Sequence, residues 1–171
     1  VTDDDIDGRI GEAWSGTAPN GSHVNVVLAR RASPTAAAAV SAFASPTPGH
    51  APVLVCLGGG APVWPPTIMM NKATATEVAH QRVTWGAAQL GIGEGVIDAV
   101  AEGLLVADGE TLLLVAVWVD PAAHDHTAVR AANRRATRDA IARARSGPVA
   151  GEVEALLALR GSVSNEFYDG E

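Results

Sequence analysis

A helical stretch that keeps glycine where alanine would serve better implies a backbone-to-backbone contact. Over about 77–103 the apolar residues recur at helical spacing, with a break expected near Thr84. Within this stretch Ala87, Gly91, Gly95 and Ala99 form one i, i+4 ridge of small residues, and Ala88, Ile92, Val96 and Val100 run beside it. An interior glycine costs roughly 1 kcal/mol against alanine, so a helix that keeps two is expected to pack very close to another backbone.

The other elements follow from pattern and punctuation. Residues 1–8 read as a solvated lead-in. Stretches 9–14 and 22–29 read as two strands joined by a turn around Pro19-Asn20-Gly21. In the second strand Val24, Val26 and Leu28 share the core face, which turns His23 and Asn25 together to the other side. Ser33-Pro34 opens a helix over about 34–44, with a hydroxyl at the N-cap and proline at the first helical position. Short strands are expected at 53–57 and 67–71, and the apolar run 111–118 is the clearest strand of the chain. A helix over 127–145 carries alanines at 128, 132, 136, 140 and 144, and a shorter helix over 149–159 leads into a polar tail. Strand, strand, helix, strand, strand, helix, strand, helix implies an α+β domain, a two-layer mixed sheet covered by helices, with 1–171 as one unit.

Composition excludes several classes of function. Twelve basic against nineteen acidic residues give a net charge of −7, and the chain has seven aromatic residues, a poor platform for nucleic acid. The longest unbroken apolar run, 112–119, is far below the roughly 20 residues that span a bilayer. The acidic N-terminal stretch lacks the charge and apolar pattern of a secretory signal, so a cytoplasmic location and no membrane partner are expected. The single cysteine, Cys56, excludes an intrachain disulfide and reads as an inert core thiol. Eleven of the twelve basic residues are arginine, which sets apart the single lysine, Lys72.

Most candidate motifs have a plain explanation. Gly91, Gly93 and Gly95 lie inside a helical pattern and lack dinucleotide-fingerprint spacing. Gly58-Gly59-Gly60 reads as a flexible loop. His124-Asp125-His126 lacks a third ligand at a recognisable spacing and reads as a helix N-cap region, so no metal is expected. The polar set that remains is His23 and Asn25 on one strand face, Lys72 and Thr74 two apart beyond a strand, and Gln89 in the small-residue helix. One histidine with a lysine, a glutamine and hydroxyl or amide groups suits general acid catalysis on a hydrogen-bonding organic substrate. Ordinary surface polarity is the competing explanation.

The blocks Gly11-Glu12-Ala13-Trp14, His23-Val24-Asn25, Gly49-His50-Ala51-Pro52, Pro62-Val63-Trp64-Pro65-Pro66-Thr67, Asn71-Lys72-Ala73-Thr74, Trp85-Gly86-Ala87-Ala88-Gln89 and Val117-Trp118-Val119-Asp120-Pro121, in that order, resemble the formaldehyde-activating enzyme family. The resemblance implies a lyase of one-carbon metabolism. Its substrates would be formaldehyde and tetrahydromethanopterin, which condense to the 5,10-methylene derivative and water. The pterin would be a co-substrate, with no covalently bound cofactor. It also implies a ribosomal-protein-S5-domain-2-like fold and a homopentamer with sites between subunits. By motif, His23 matches the proton donor, Leu54 a leucine lining the pterin site, and Asn25, Lys72, Thr74 and Gln89 substrate contacts. Well-known members carry aspartate where this chain has Asn25, an amide that donates as well as accepts and brings no charge. Two alternatives stay open: an enzyme of the same fold using a different one-carbon acceptor in specialised metabolism, and a non-catalytic homologue that binds a pterin or formaldehyde adduct.

Overall fold

In the computed structural model, which describes residues 5–162, five strands form one mixed sheet. They are β1 (Ile10–Ser15), β2 (Ser22–Arg30), β3 (Val53–Leu54), β4 (Thr67–Asn71) and β5 (Thr111–Val119), in the spatial order β1-β2-β5-β4-β3. Only the β4–β5 pairing is parallel. The helices are α1 (Pro34–Phe43), α2 (Val78–Arg82), α3 (Gln89–Ala101), α4 (His126–Ser146) and α5 (Glu152–Ala158). The result is a two-layer α+β fold.

Two-residue alternation divides the sheet into a packed face and an open one. Val24, Val26, Leu28, Met69, Leu113, Val115 and Val117 point to one side and are fully buried against Ile92 and Val96 of α3 and Ala136, Ala140 and Ile141 of α4. On the other side one register row crosses all five strands, Ile10, Val27, Leu114, Ile68 and Leu54. The row Trp14, His23 and Trp118 lies further along that face.

The glycines on the packed side set the thickness of the helical layer. A methyl group on Gly95 would lie 2.5 Å from the Arg134 carbonyl oxygen and 2.8 Å from Thr137 Cβ, and one on Gly91 would collide with the Arg130 carbonyl. The expected close backbone is therefore α4 of the same chain. Gly11 of β1 does the same from the sheet, where a methyl group would meet the Ala144 amide nitrogen at 2.5 Å. Beside the α3–α4 seam runs a ladder of ion pairs at a constant sequence offset, Glu94–Arg130, Asp98–Arg134 and Glu102–Arg138. The Arg130 and Arg134 hydrogen bonds hold the Glu94 and Asp98 carboxyls below the usual carboxylate range.

Several local expectations need correction. The lead-in is anchored where it is described: Ile6 is buried in the core. Asp7 accepts from the Arg30 amide at 2.8 Å and the Thr35 hydroxyl at 2.9 Å, tying β2 to α1. Residues 1–4 and the tail beyond 162 lie outside the described residues. The strand expected at 53–57 pairs regularly only over Val53–Leu54, because Cys56 bridges instead to Pro62 across the glycine turn. Cys56 is accordingly half-buried, not a core thiol. The break near Thr84 is a widened turn, with Val83–Ala88 π-helical between α2 and α3.

Asp125 caps α4 by accepting from the Ala128 amide, and the Asn20 side-chain oxygen accepts from the His124 and Asp125 amides. The His-Asp-His run thus serves a helix start, as its spacing suggests. Gly95→Ala should destabilise the protein by about 1–3 kcal/mol through overpacking, although alanine is the better helix former. Urea denaturation of the variant against wild type measures the difference.

Candidate active site

The open face gathers its polar groups where β1, β2, β5 and the end of β4 run side by side. The Lys72 amide donates to the Val117 carbonyl at 2.7 Å, extending the β4–β5 ladder by one residue, and this sets Lys72 beside Trp118, the cross-strand partner of His23. Its Nζ donates to Asn25 Oδ1 at 2.7 Å and lies 2.8 Å from His23 Nδ1. On the other flank Glu12, directly opposite Asn25 in register, places Oε2 2.5 Å from His23 Nε2. Arg143 of α4 donates to the second Glu12 oxygen at 3.3 Å. Trp14 stacks on the His23 ring at 4.4 Å between centroids and 6° between planes.

These contacts specify a protonation pattern. An ammonium can only donate, so Nδ1 of His23 accepts from Lys72; a carboxylate can only accept, so Nε2 carries the proton and donates to Glu12. His23 is thus held as the neutral Nε2–H tautomer within the chain Lys72–His23–Glu12. Burial holds the Lys72 ammonium down to about pKa 8, and the Glu12 carboxylate opposes that shift. Asn25 occupies the position nearest the ammonium without adding a counter-charge.

Sequence reasoning selected His23, Asn25 and Lys72, and the structure brings these three together. It leaves the other candidates apart. Thr74 instead pairs with His50: His50 Nδ1 donates to the Asn71 carbonyl at 2.9 Å, so its Nε2 accepts from the Thr74 hydroxyl at 2.8 Å. Gln89 accepts from the Cys56 amide at 3.1 Å and donates to the Trp85 carbonyl at 2.8 Å, pinning the chain just beyond Leu54. Leu54 shares the open face with His23 and is 39% exposed, but lies three strands across. Strand spacing makes that roughly 14 Å across the sheet, with a further ~13 Å along it. Glu12, Trp14 and Arg143 had no assigned role. The outward alternation of Ile10, Glu12 and Trp14 was the available signal for the first two.

A cavity of about 410 Å³ opens beside the cluster, lined by Glu12, Asn25, Arg143 and Val149 and by Val153 and Leu156 of α5. An apolar groove of about 690 Å³ between α1 and the start of β5 lies away from these groups. Among the described residues no three His, Cys, Asp or Glu side chains are grouped to hold a metal, and no helix is long and apolar enough to cross a membrane.

A two-layer α+β sheet carries on its open face a histidine placed between an ammonium and a carboxylate, groups of the kind that exchange protons. A family model described as Formaldehyde-activating enzyme (Fae) matches residues 10–168, and the chain belongs to that enzyme family. The chain is 32% identical over 160 residues to a 5,6,7,8-tetrahydromethanopterin hydro-lyase of Methanosarcina barkeri, covering 92% of this chain and 89% of the relative. It is similar also to the Bifunctional enzyme Fae/Hps of Methanosphaera stadtmanae, 32% identical over 80% of this chain, and to that of Archaeoglobus fulgidus, 30% identical over 80%. Of those two relatives the chain spans only 34% and 35% of the length.

The low Lys72 pKa has a signed consequence for stability. Between about 8 and its ordinary 10.5 the unfolded chain keeps this proton while the folded protein has released it, so stability gains from rising pH in that window. Below the window the term is constant. Urea denaturation from pH 7 to 10 should show wild type gaining on Lys72→Met above pH 8, and a constant difference would refute the assignment.

Proposed function

We propose that this chain condenses formaldehyde with a tetrahydropterin of the tetrahydromethanopterin type, giving the 5,10-methylene adduct and water. The observation that carries this reading is the placement of His23, stacked on Trp14 with Lys72 Nζ at its Nδ1 and the Glu12 carboxylate at its Nε2. A pterin ring nitrogen adds to formaldehyde to give a carbinolamine. Its hydroxyl replaces the Glu12 oxygen at His23 Nε2, takes the proton and leaves as water. The iminium that remains is closed by the neighbouring amine. Formaldehyde and amines also condense unaided, so the protein's share is to hold the pair and deliver a proton at the right place.

Asn25 and Lys72 contact the substrate beside His23, whereas Leu54 lies too far across the sheet to touch the same small ring, and Thr74 and Gln89 are bonded to His50 and to Cys56 and Trp85. Leu54, Thr74 and Gln89 serve a site completed by a second copy, within a homopentamer of single-domain chains acting in the cytoplasm. Light scattering that returns a stable 17.4 kDa monomer at micromolar concentration would remove the shared site.

The second reading, a different one-carbon acceptor, is favoured by one contact. Because Asn25 Oδ1 accepts from Lys72, its Nδ2 is the group left to face a substrate, and it offers a donor where a carboxylate would accept.

His23→Ala should remove most of the acceleration above the spontaneous rate, about 10²–10⁴-fold, with little effect on pterin binding. An active His23→Ala protein would overturn the assignment. Asn25→Asp should improve turnover of tetrahydromethanopterin if the amide marks a changed acceptor, and a panel of tetrahydropterins run on both proteins identifies which acceptor each prefers.

A further inference from the structure

A histidine that gives away the proton on Nε2 needs another on Nδ1, or it is left as an imidazolate, which is too basic to form at neutral pH. The group on Nδ1 is the Lys72 ammonium, 2.8 Å away. Resting on the reading of His23 as the acid, we infer that Lys72 is the proton source of the reaction and that His23 relays its proton to the leaving hydroxyl.

The step balances as a transfer through a neutral ring. The His23 Nε2–H bond breaks as an O–H bond forms on the carbinolamine. The C–O bond breaks with its electron pair on oxygen, and the nitrogen lone pair makes the iminium. In the same step the Lys72 Nζ–H bond breaks and His23 Nδ1–H forms. Water leaves, His23 ends neutral in the other tautomer, and Lys72 ends as the free amine. The positive charge has moved from Lys72 to the iminium, next to Glu12. Ring closure by the second amine then releases one proton; taken up at His23 Nε2 while the Nδ1 proton returns to Lys72 Nζ, it restores both groups, so the cycle consumes none.

The surroundings suit a lysine that must let a proton go. Asn25 of β2 meets it with a neutral oxygen and His23 with a neutral nitrogen. The carboxylate of Glu12 on β1 is bonded to the far side of the imidazole and is shared with Arg143 of α4. β5 presents the uncharged Trp118. Further along its own segment, the Thr74 hydroxyl is bonded to His50 from the loop before β3. This environment, with burial as its main element, brings Lys72 to about 8, where an amine is protonated at neutral pH and still gives its proton up.

Lys72→Arg tests the relay, because a guanidinium keeps the charge and the donor on Nδ1 but does not release a proton in this pH range. The expected result is a fall in kcat of about 10²-fold or more with KM changed only a few-fold. Two measurements do not depend on how that variant packs. The alkaline limb of kcat in wild type should fall near 8 and move upward in Asn25→Asp, where a carboxylate would stabilise the ammonium. Lys72→Ala should regain rate with added ethylammonium. A wild-type kcat in Lys72→Arg, or a wild-type alkaline limb at about 6.5 where a free imidazole titrates, would overturn the relay. If His23→Ala keeps the acceleration, the reading of His23 has failed. If His23→Ala is inactive while Lys72→Arg turns over normally, only the relay has failed.

Discussion

Contact between the backbones of α3 and α4 at Gly91 and Gly95 is the constraint from which the rest of the architecture follows. With no side chains between them, the two helices form a thin layer, and α4 lies low enough for its carbonyls to meet Gly11 of β1. Apolar side chains of alternate strand positions then fill the space between this layer and the sheet. Because the helices on that side bury the apolar half of every strand, the opposite half is free to carry polar groups at a density no core would tolerate. The ladder of Glu94, Asp98 and Glu102 with Arg130, Arg134 and Arg138 fixes the sliding register of the same two helices. These pairs are exposed, so each contributes little stability, and their value lies in the regular alignment.

The same economy appears at the candidate site. Four strands contribute one or two residues each, and register alone brings them together. Trp14, His23 and Trp118 come from a single row, and Lys72 joins that row by extending β4. Nothing in the cluster depends on a long loop. Such placement on strands holds donor and acceptor positions more tightly than a loop would.

Much of this was legible in the sequence, for reasons that differ by element. Strands β2 and β5 announced themselves by strict alternation and by an unbroken apolar run, and Ser33-Pro34 and Asp125 marked helix starts through side chains that cap. The glycine ridge told that a backbone was near but not whose it was, since spacing along one helix carries no information about its partner. The buried Ile6 was missed because a single apolar residue among acids has no period. In the site, His23 and Asn25 share a face by two-residue spacing, and Lys72 stood out by its rarity. Spacing suggested that Thr74 would point with Lys72, but the chain leaves the strand there and His50 takes the hydroxyl. Glu12 was hidden by distance, eleven residues from the histidine it contacts, and only pairing of β1 with β2 brings them together.

The division of the sheet into two faces also separates what the protein can change from what it must keep. Positions 12, 23 and 25 alternate with Gly11, Ala13, Val24 and Val26, which are held by the helical layer, so an exchange such as aspartate for asparagine at 25 leaves the packing untouched. Substitutions on this face therefore draw little on the narrow margin of folding stability that restricts most mutations. A lineage with this scaffold can explore new acceptors by single exchanges on the open face while the folded state stays the same.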